Sequence, residues 1–105
     1  MDIDRASDNA LKKAVKAAEL DGAARMLEEM KKILLSELVN QSEKSSISKA
    51  EHWARDQSQY REHIEKMVGA RTAANVAKAE WEATQMRFEA WRTLESTKRA
   101  EMNLR

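Results

Sequence analysis

A stripe of mostly basic residues recurs every seven positions in the second half of the sequence: Arg71, Lys78, Gln85, Arg92 and Arg99. On a helix, residues seven apart lie almost above one another, so these side chains share one face. Aromatic rings flank the stripe at Trp81, Phe88 and Trp91. Cations neutralise phosphates and rings stack on bases in proteins that hold single-stranded nucleic acid with little sequence preference. The stripe therefore predicts that Arg71, Lys78, Arg92 and Arg99 contact nucleic acid.

The same cations have a second interpretation. Arginine and lysine beside a coiled-coil seam commonly cover it with their methylene stems and pair with nearby glutamates. Such glutamates are present at Glu80, Glu82, Glu89 and Glu95. Aromatic residues at seam positions are also more often packed than free to stack on bases, so Trp81, Phe88, Trp91 and Leu94 are candidates for an oligomer or partner interface. Both interpretations stay open.

Other kinds of site find little support in the sequence. There is no cysteine, so we expect no thiolate nucleophile and no zinc–thiolate site. His52 and His63 are eleven residues apart, about 16 Å along one helix, which is too far to share a metal ion within one chain. No glycine-rich phosphate loop and no His-Glu-x-x-His motif occurs. We expect a protein that is not an enzyme and needs neither a metal nor a cofactor.

The element that must carry the stripe is a long helix. A second heptad series is apolar at six of seven positions and is interrupted only at its last member: Trp53, Tyr60, Met67, Ala74, Trp81, Phe88 and Glu95. A strict seven-residue repeat of apolar residues is typical of a left-handed coiled coil. A weaker companion series lies three residues further on: Asp56, His63, Ala70, Ala77, Thr84 and Trp91.

Helix boundaries follow from periodicity and capping signals. An amphipathic helix is predicted over about residues 7–39, with its apolar stripe at Leu20, Ala23, Leu27, Met30, Leu34 and Leu38 and a neighbouring stripe at Leu11, Val15 and Ala18. Residues 40–47 lack helical periodicity and predict the turn. Ser48 and Glu51 have capping-box spacing, which predicts a second helix over about residues 49–102. Gly22 and Gly69 could mark a break, a hinge or a close helix crossing, and continuous helices are the favoured interpretation.

These lengths predict an all-α antiparallel helical hairpin in a single domain, with a long second helix that is coiled-coil-like and oligomeric. The first helix covers only about 50 Å of a rod near 80 Å, so the second helix should project from about residue 83. The projecting part carries Phe88, Trp91, Leu94 and Met102. Apolar surface of this kind usually marks an interaction site, which predicts a homo-oligomer or a partner helix.

Composition agrees with a helical chain. Its 105 residues include no proline and two glycines, and 35% are charged. The net charge of +1 excludes a strong global preference for acidic or basic partners. No apolar run approaches the roughly 20 residues that span a bilayer, and the first residues are too acidic for a signal peptide. We expect a cytoplasmic protein without a membrane partner.

Several short segments carry a resemblance to a known group: Glu51-His-Trp-Ala54, Ser58-Gln-Tyr60, Ala70-Arg71, Lys78-Ala-Glu-Trp81, Phe88-Glu-Ala-Trp-Arg-Thr93 and Arg99-Ala-Glu-Met102. The pattern resembles small helical proteins that phages and prophages encode near single-strand annealing recombinase genes. Those proteins distantly resemble the recombination mediator of the T-even phages, an oligomeric helical protein that binds single-stranded DNA and helps load a recombinase. The resemblance implies DNA contacts at Lys78, Arg92 and Arg99, and oligomer or stacking roles for Trp81, Phe88 and Trp91.

Two functions are therefore expected from the sequence. The first is a non-catalytic oligomeric accessory factor in phage-type DNA recombination or replication, binding single-stranded DNA, a recombinase, or both in the cytoplasm of the host cell. The second is a structural coiled-coil adaptor that binds a protein partner through its C-terminal helix and does not contact nucleic acid. Salt dependence separates them, because phosphate contacts weaken steeply with salt whereas an apolar interface does not.

Overall fold

The computed structural model describes residues 2–104 of the chain, and this part folds into three helices. They are α1 (Ile3–Gln41), α2 (Ile47–Asp56) and α3 (Ser58–Asn103). α1 packs along α3 and also touches α2, in a body that measures 84 × 21 × 15 Å. The predicted all-helical, elongated architecture is confirmed.

α1 begins about one turn earlier than the sequence predicted. The Asp2 carboxylate caps it by accepting hydrogen bonds from the backbone N–H groups of Asp4 and Arg5, at 3.1 and 3.3 Å. At the other end, the hydroxyl of Ser42 donates to the carbonyl oxygen of Val39, 2.8 Å away. The connection to α2 is short, residues 42–46, and lies within the predicted turn.

The predicted capping box at Ser48 and Glu51 is wrong. α2 already begins at Ile47, and the hydroxyl oxygen of Ser46 accepts a hydrogen bond from the Lys49 N–H at 3.2 Å. Ser48 is inside the first turn of the helix. Neighbouring serines in this segment offer the same chemistry, and the backbone of Ser46 has the extended conformation that an N-cap requires (φ −132°, ψ 155°).

The predicted single helix over residues 49–102 is interrupted at Gln57. The backbone of Gln57 is extended (φ −70°, ψ 141°), and its side-chain amide donates to the carbonyl oxygen of Trp53, 2.9 Å away. The break lets α2 lean onto the end of α1, where Leu38, Ala50 and Ala54 are buried. By contrast, Gly22 and Gly69 interrupt neither α1 nor α3.

α3 presents its two heptad series to α1, which the sequence predicted as far as about residue 82. From Tyr60 to Phe88 every member of the main series is buried or half-buried, and so is every member of the companion series from His63 to Trp91. The centre of the interface is built from small residues, with Ala24 of α1 and Ala74 and Ala77 of α3 almost completely covered. Small side chains at these positions let the two helix axes lie close together.

The inner face of α1 differs in detail from its predicted stripe. Ala24 occupies the buried position, whereas Ala23 and Met30 are exposed, as are Leu11 and Val15 of the neighbouring stripe. α1 packs against α3 with a seven-residue repeat, and one set of inner positions is Ala24, Lys31 and Leu38. Ala23 and Met30 each precede one of these positions by one residue and therefore lie beside the contact. The apolar stripe of the sequence is therefore wider than the surface that α3 covers.

The projecting end of α3 is shorter than predicted. Ile3, at the start of α1, lines one groove with Phe88, Trp91 and residues up to Arg99. The hairpin therefore remains paired to about residue 95, because α1 is longer than the sequence indicated. Phe88 and Trp91 are half-buried, while Leu94 and Met102 are exposed.

Candidate functional site

Arg71 is held by α1 and is only partly exposed, whereas a nucleic-acid contact needs a free side chain. Its Nη1 lies 2.7 Å from Asp21 Oδ1, and its Nη2 and Nε both donate to the Glu28 carboxylate. Asp21 and Glu28 are seven residues apart on α1, so both carboxylates point to the same flank of the hairpin. Two carboxylates around one guanidinium form an ion-pair bridge between the helices.

The bridge changes the acidity of its members. The hydrogen bond from Arg71 lowers the pKa of Asp21 below its ordinary value, and it lowers the pKa of Glu28 in the same way. The pKa of Arg71 is raised, chiefly by its hydrogen bond to Glu28 and then by that to Asp21. All three groups are therefore charged at neutral pH, and only 32% of the Arg71 side chain is exposed. Arg71 has little capacity left for a phosphate.

The other predicted nucleic-acid contacts lie outside this bridge. Lys78, Arg92 and Arg99 are exposed on α3. Arg92 makes an i,i+3 ion pair with Glu89 at 3.5 Å, which is exposed and easily exchanged for another anion. The structure thus divides the four predicted nucleic-acid contacts into one residue engaged with α1 and three that reach solvent.

Three of the five aromatic residues, Trp81, Phe88 and Trp91, lie towards the end of the hairpin away from the turn, which we call the open end. The ring centroids of Phe88 and Trp91 are 5.9 Å apart and their planes are tilted by 46°, a favourable geometry for an aromatic pair. Together with Ile3, Arg92 and Arg99 they line a groove. A wider groove of about 870 Å³ lies between Ser7 and Ala10 of α1 and the segment of α3 from Trp81 to Glu89.

Of the predicted interface residues, Trp81, Phe88 and Trp91 are half-buried against α1. Leu94 is exposed. The structure therefore brings Phe88 and Trp91 together at the open end and places Trp81 in the wider groove.

His63 has a structural contact that its sequence position did not predict. Its Nε2 lies 2.7 Å from the carbonyl oxygen of Leu27, in the interior of α1. A carbonyl oxygen only accepts, so Nε2 carries the proton in this contact. Between residues 2 and 104 no group of three or more His, Cys, Asp or Glu side chains is arranged to hold a metal ion.

Sequence reasoning missed the two carboxylates that engage Arg71. Their spacing was available, because Asp21 and Glu28 are seven residues apart beside the apolar stripe of α1. The sequence alone did not give the register between α1 and α3, which places Arg71 opposite these two carboxylates. That register depends on the break at Gln57 and on the length of the turn.

No family model, no curated protein sequence and no solved structure matches this chain. The resemblance to phage recombination proteins therefore stays a prediction. Within residues 2–104, no helix is both long and apolar enough to cross a membrane.

Proposed function

We propose that this protein is a non-catalytic helical adaptor that self-associates and binds a protein partner through exposed apolar surface. The observation that carries the proposal is the imbalance between core and surface. Among residues 2–104, Leu38 is the single large side chain with less than 2% exposure. Thirteen large apolar side chains in the same range are exposed. Where such side chains lie next to one another, as at the open end, they usually mark contact with another protein.

The open end is the part of the adaptor best suited to a partner helix. Phe88 and Trp91 supply half-buried rings, and Leu94 and Met102 extend the apolar surface beyond the start of α1. Aromatic residues within a polar rim are the usual anchors of protein interfaces. Arg92 and Arg99 provide that rim and would favour an acidic partner surface.

The second candidate function is single-stranded DNA binding in phage-type recombination, alone or with a recombinase. One observation favours it: Arg92 and Arg99 line the same groove as Phe88 and Trp91. Lys78 would extend the site, while Arg71 would not contribute because it is engaged with Asp21 and Glu28. Glu89 and Glu95 lie among these cations and weaken their attraction for phosphate.

Fluorescence anisotropy of a labelled single-stranded oligonucleotide separates the two functions. If Lys78, Arg92 and Arg99 each neutralise a phosphate, affinity should fall about 20-fold between about 50 and 200 mM salt. The double variant Arg92→Gln/Arg99→Gln should then bind more weakly and lose most of this salt dependence. The control Arg55→Gln/Arg61→Gln removes the same charge near the turn and should bind like wild type.

The adaptor function gives the opposite results. We expect no oligonucleotide binding at either salt concentration, and sedimentation equilibrium should give a mass above the 12.0 kDa of one chain. The replacement of Phe88 and Trp91 by alanine should reduce partner binding while the helical circular dichroism signal is kept. Strong, salt-sensitive DNA binding that depends on Arg92 and Arg99 would reject the adaptor function in favour of the second candidate.

A further inference from the structure

The two broad faces of the hairpin differ in chemistry. One face is crossed at its middle by the bridge from Arg71 to Asp21 and Glu28, and we call it the ionic face. The opposite face is marked by the contact between His63 and the Leu27 carbonyl. Heptad spacing from these two residues places the following side chains there, and we call this surface the apolar face: Leu20, Ala23, Leu27 and Met30 of α1, and Ala70, Ala73 and Ala77 of α3.

The apolar face is only partly covered. Leu20, Leu27 and Ala70 are half-buried, Ala23 and Ala73 are exposed, and Met30 is 47% exposed. This surface includes the middle of the stripe that the sequence identified as the inner side of α1. α3 covers one edge of the stripe and leaves the other edge in water. A stripe wider than one neighbouring helix covers is typical of bundles with more than two helices.

The surface area of the chain sets an upper limit on the area that a partner could cover. The hairpin exposes 8291 Å², whereas a compact protein of 12.0 kDa exposes about 6,000 Å². The excess is about 2,300 Å². Each subunit of a stable obligate dimer buries about 1,000–2,500 Å². A second copy of the chain is thus a partner of the right size, and both copies bring the same apolar face.

We propose that two copies of this chain pack through the apolar face as a four-helix bundle. The proposal rests on the self-association named under the proposed function and specifies its surface. The twofold axis runs along the length of the hairpin, so that α1 of one copy lies over α3 of the other, and neighbouring helices are antiparallel.

The side chains at equal heights support this arrangement. Arg71 spans Asp21 and Glu28, and Phe88 lies near Ile3, so paired positions on α1 and α3 have residue numbers that sum to about 94. In the bundle, Leu20 would therefore lie at the height of Ala73 and Ala77 of the other copy, and Leu27 near that of Ala70, so that large residues lie on small ones. Ala23 would lie against Ala70 and Ala73 of the other copy, and Met30 near Lys66 of the other copy.

At the edge of the same interface, Lys16 of one copy lies at the height of the partner's Glu80. Both residues are exposed in the single chain. The twofold axis generates this pair of opposite charges twice, once at each edge of the bundle. Opposite charges at a rim contribute to orientation more than to affinity, so the pair favours α1 over the partner's α3.

Charge substitutions on the apolar face give the first test. Wild type should sediment at twice the 12.0 kDa chain mass. Ala23→Glu should weaken dimerisation at least about 100-fold, because it buries a carboxylate against Ala70 and Ala73 of the other copy, where it has no partner. Val15→Glu is the matched control: Val15 is exposed on α1 at a heptad position that points away from α3, and this variant should remain dimeric. On α3, Ala73→Glu and its outward-facing neighbour Thr72→Glu form the equivalent pair.

Engineered cysteines test the orientation, and the absence of natural cysteine makes them the sole thiols in the chain. Lys16→Cys and Glu80→Cys are prepared separately, mixed, allowed to exchange subunits and oxidised. The proposed axis predicts disulfide-linked dimers that contain one chain of each variant. Homodimers of each variant in place of the mixed species would overturn this orientation.

The possible failures are distinguishable. A wild-type monomer at about 500 µM, a concentration far above that at which a stable dimer dissociates, would overturn both this inference and the self-association in the proposed function. A wild-type dimer that survives Ala23→Glu and Ala73→Glu but dissociates when Phe88 and Trp91 become alanine would overturn the apolar-face inference alone. In that case the copies would associate at the open end.

Discussion

The sequence position of Arg71 is compatible with two roles, and the structure shows one of them. Its heptad position predicts either a phosphate contact or an ion pair at the flank of a helical seam. The structure selects the ion pair because a guanidinium carries several donors in one plane, enough to engage both carboxylates. Lys78, at the next heptad position, has no fork of donors and stays exposed.

The ion-pair bridge should make stability depend on pH. The pKa values of Asp21 and Glu28 are lower in the folded chain than in the unfolded chain. Their contribution is therefore complete above the ordinary carboxylate pKa of about 4 and disappears as the pH falls through the lowered values. Arg71→Gln should reduce the Tm at pH 7, and the difference from wild type should shrink towards zero near pH 2.

Arg61→Gln is the control for this experiment. Arg61 pairs with Asp56 at 3.3 Å, but both side chains are largely exposed, and exposed pairs contribute little to stability. The control removes the same charge and should leave the Tm nearly unchanged at both pH values. An equal loss of Tm for Arg71→Gln at pH 7 and at pH 2 would show that the two carboxylates are not the cause.

At the residue scale, the sequence predicted which side chains face the other helix better than it predicted which residues they contact there. It placed Tyr60, Met67 and Ala74 on the inner face because the seven-residue repeat has only one inner side, whereas it expected Phe88 to project beyond α1. It could not predict the carboxylates of Arg71, because opposite residues on two helices are matched by the turn. A shift of one residue in that turn would place different side chains across from Arg71.

At the scale of the elements, the helix boundaries depend on caps of a few atoms. Ser46→Ala removes the oxygen that accepts from the Lys49 N–H, and we expect it to lower the free energy of unfolding by about 1 kcal/mol. Ser48→Ala changes a serine inside the helix and should have a much smaller effect. Urea denaturation of both variants measures the difference. A larger loss for Ser48→Ala would restore the boundary that the sequence predicted.

The glycines give a second prediction at this scale. A Cβ atom added at Gly22 or at Gly69 would meet no other atom within 4 Å, and both residues lie inside helices. Alanine costs less conformational entropy in a helix, so each substitution should raise the free energy of unfolding by about 0.5–1 kcal/mol. Thermal unfolding by circular dichroism measures this gain. Destabilisation at Gly22 would reveal a close approach by another chain.

The break at Gln57 was beyond prediction for a physical reason. The segment from Arg55 to Gln59 contains neither proline nor glycine, so local propensity permits a continuous helix. The break comes from packing, because α2 must tilt for Ala50 and Ala54 to be covered at the end of α1. Tertiary contacts thus override the local preference.

At the scale of the whole molecule, the hairpin has a thin and uneven interior. Leu38 is buried near the turn, alanines fill the middle, and an aromatic pair lies near the open end. The sequence predicted the elongated shape, because its length and periodicity leave no other way to pair two helices. It overestimated the projecting end of α3, because the Asp2 cap adds a turn to α1.

The antiparallel pairing also sets the order in which the chain closes. Contacts beside the turn join residues that are near neighbours in sequence, whereas Ile3 and Trp91 meet only after a loop of nearly ninety residues is closed. Loop closure costs more entropy as the loop lengthens, so pairing of the helices should begin beside the turn. In the folded chain, the helices should fray first at the open end. Amide hydrogens near Leu38 should therefore exchange with solvent most slowly, and those near Ile3 most quickly. Phe88 and Trp91 lie in the part of the molecule that becomes ordered last. A partner that binds these two residues would therefore suppress fraying and hold the ends of α1 and α3 together.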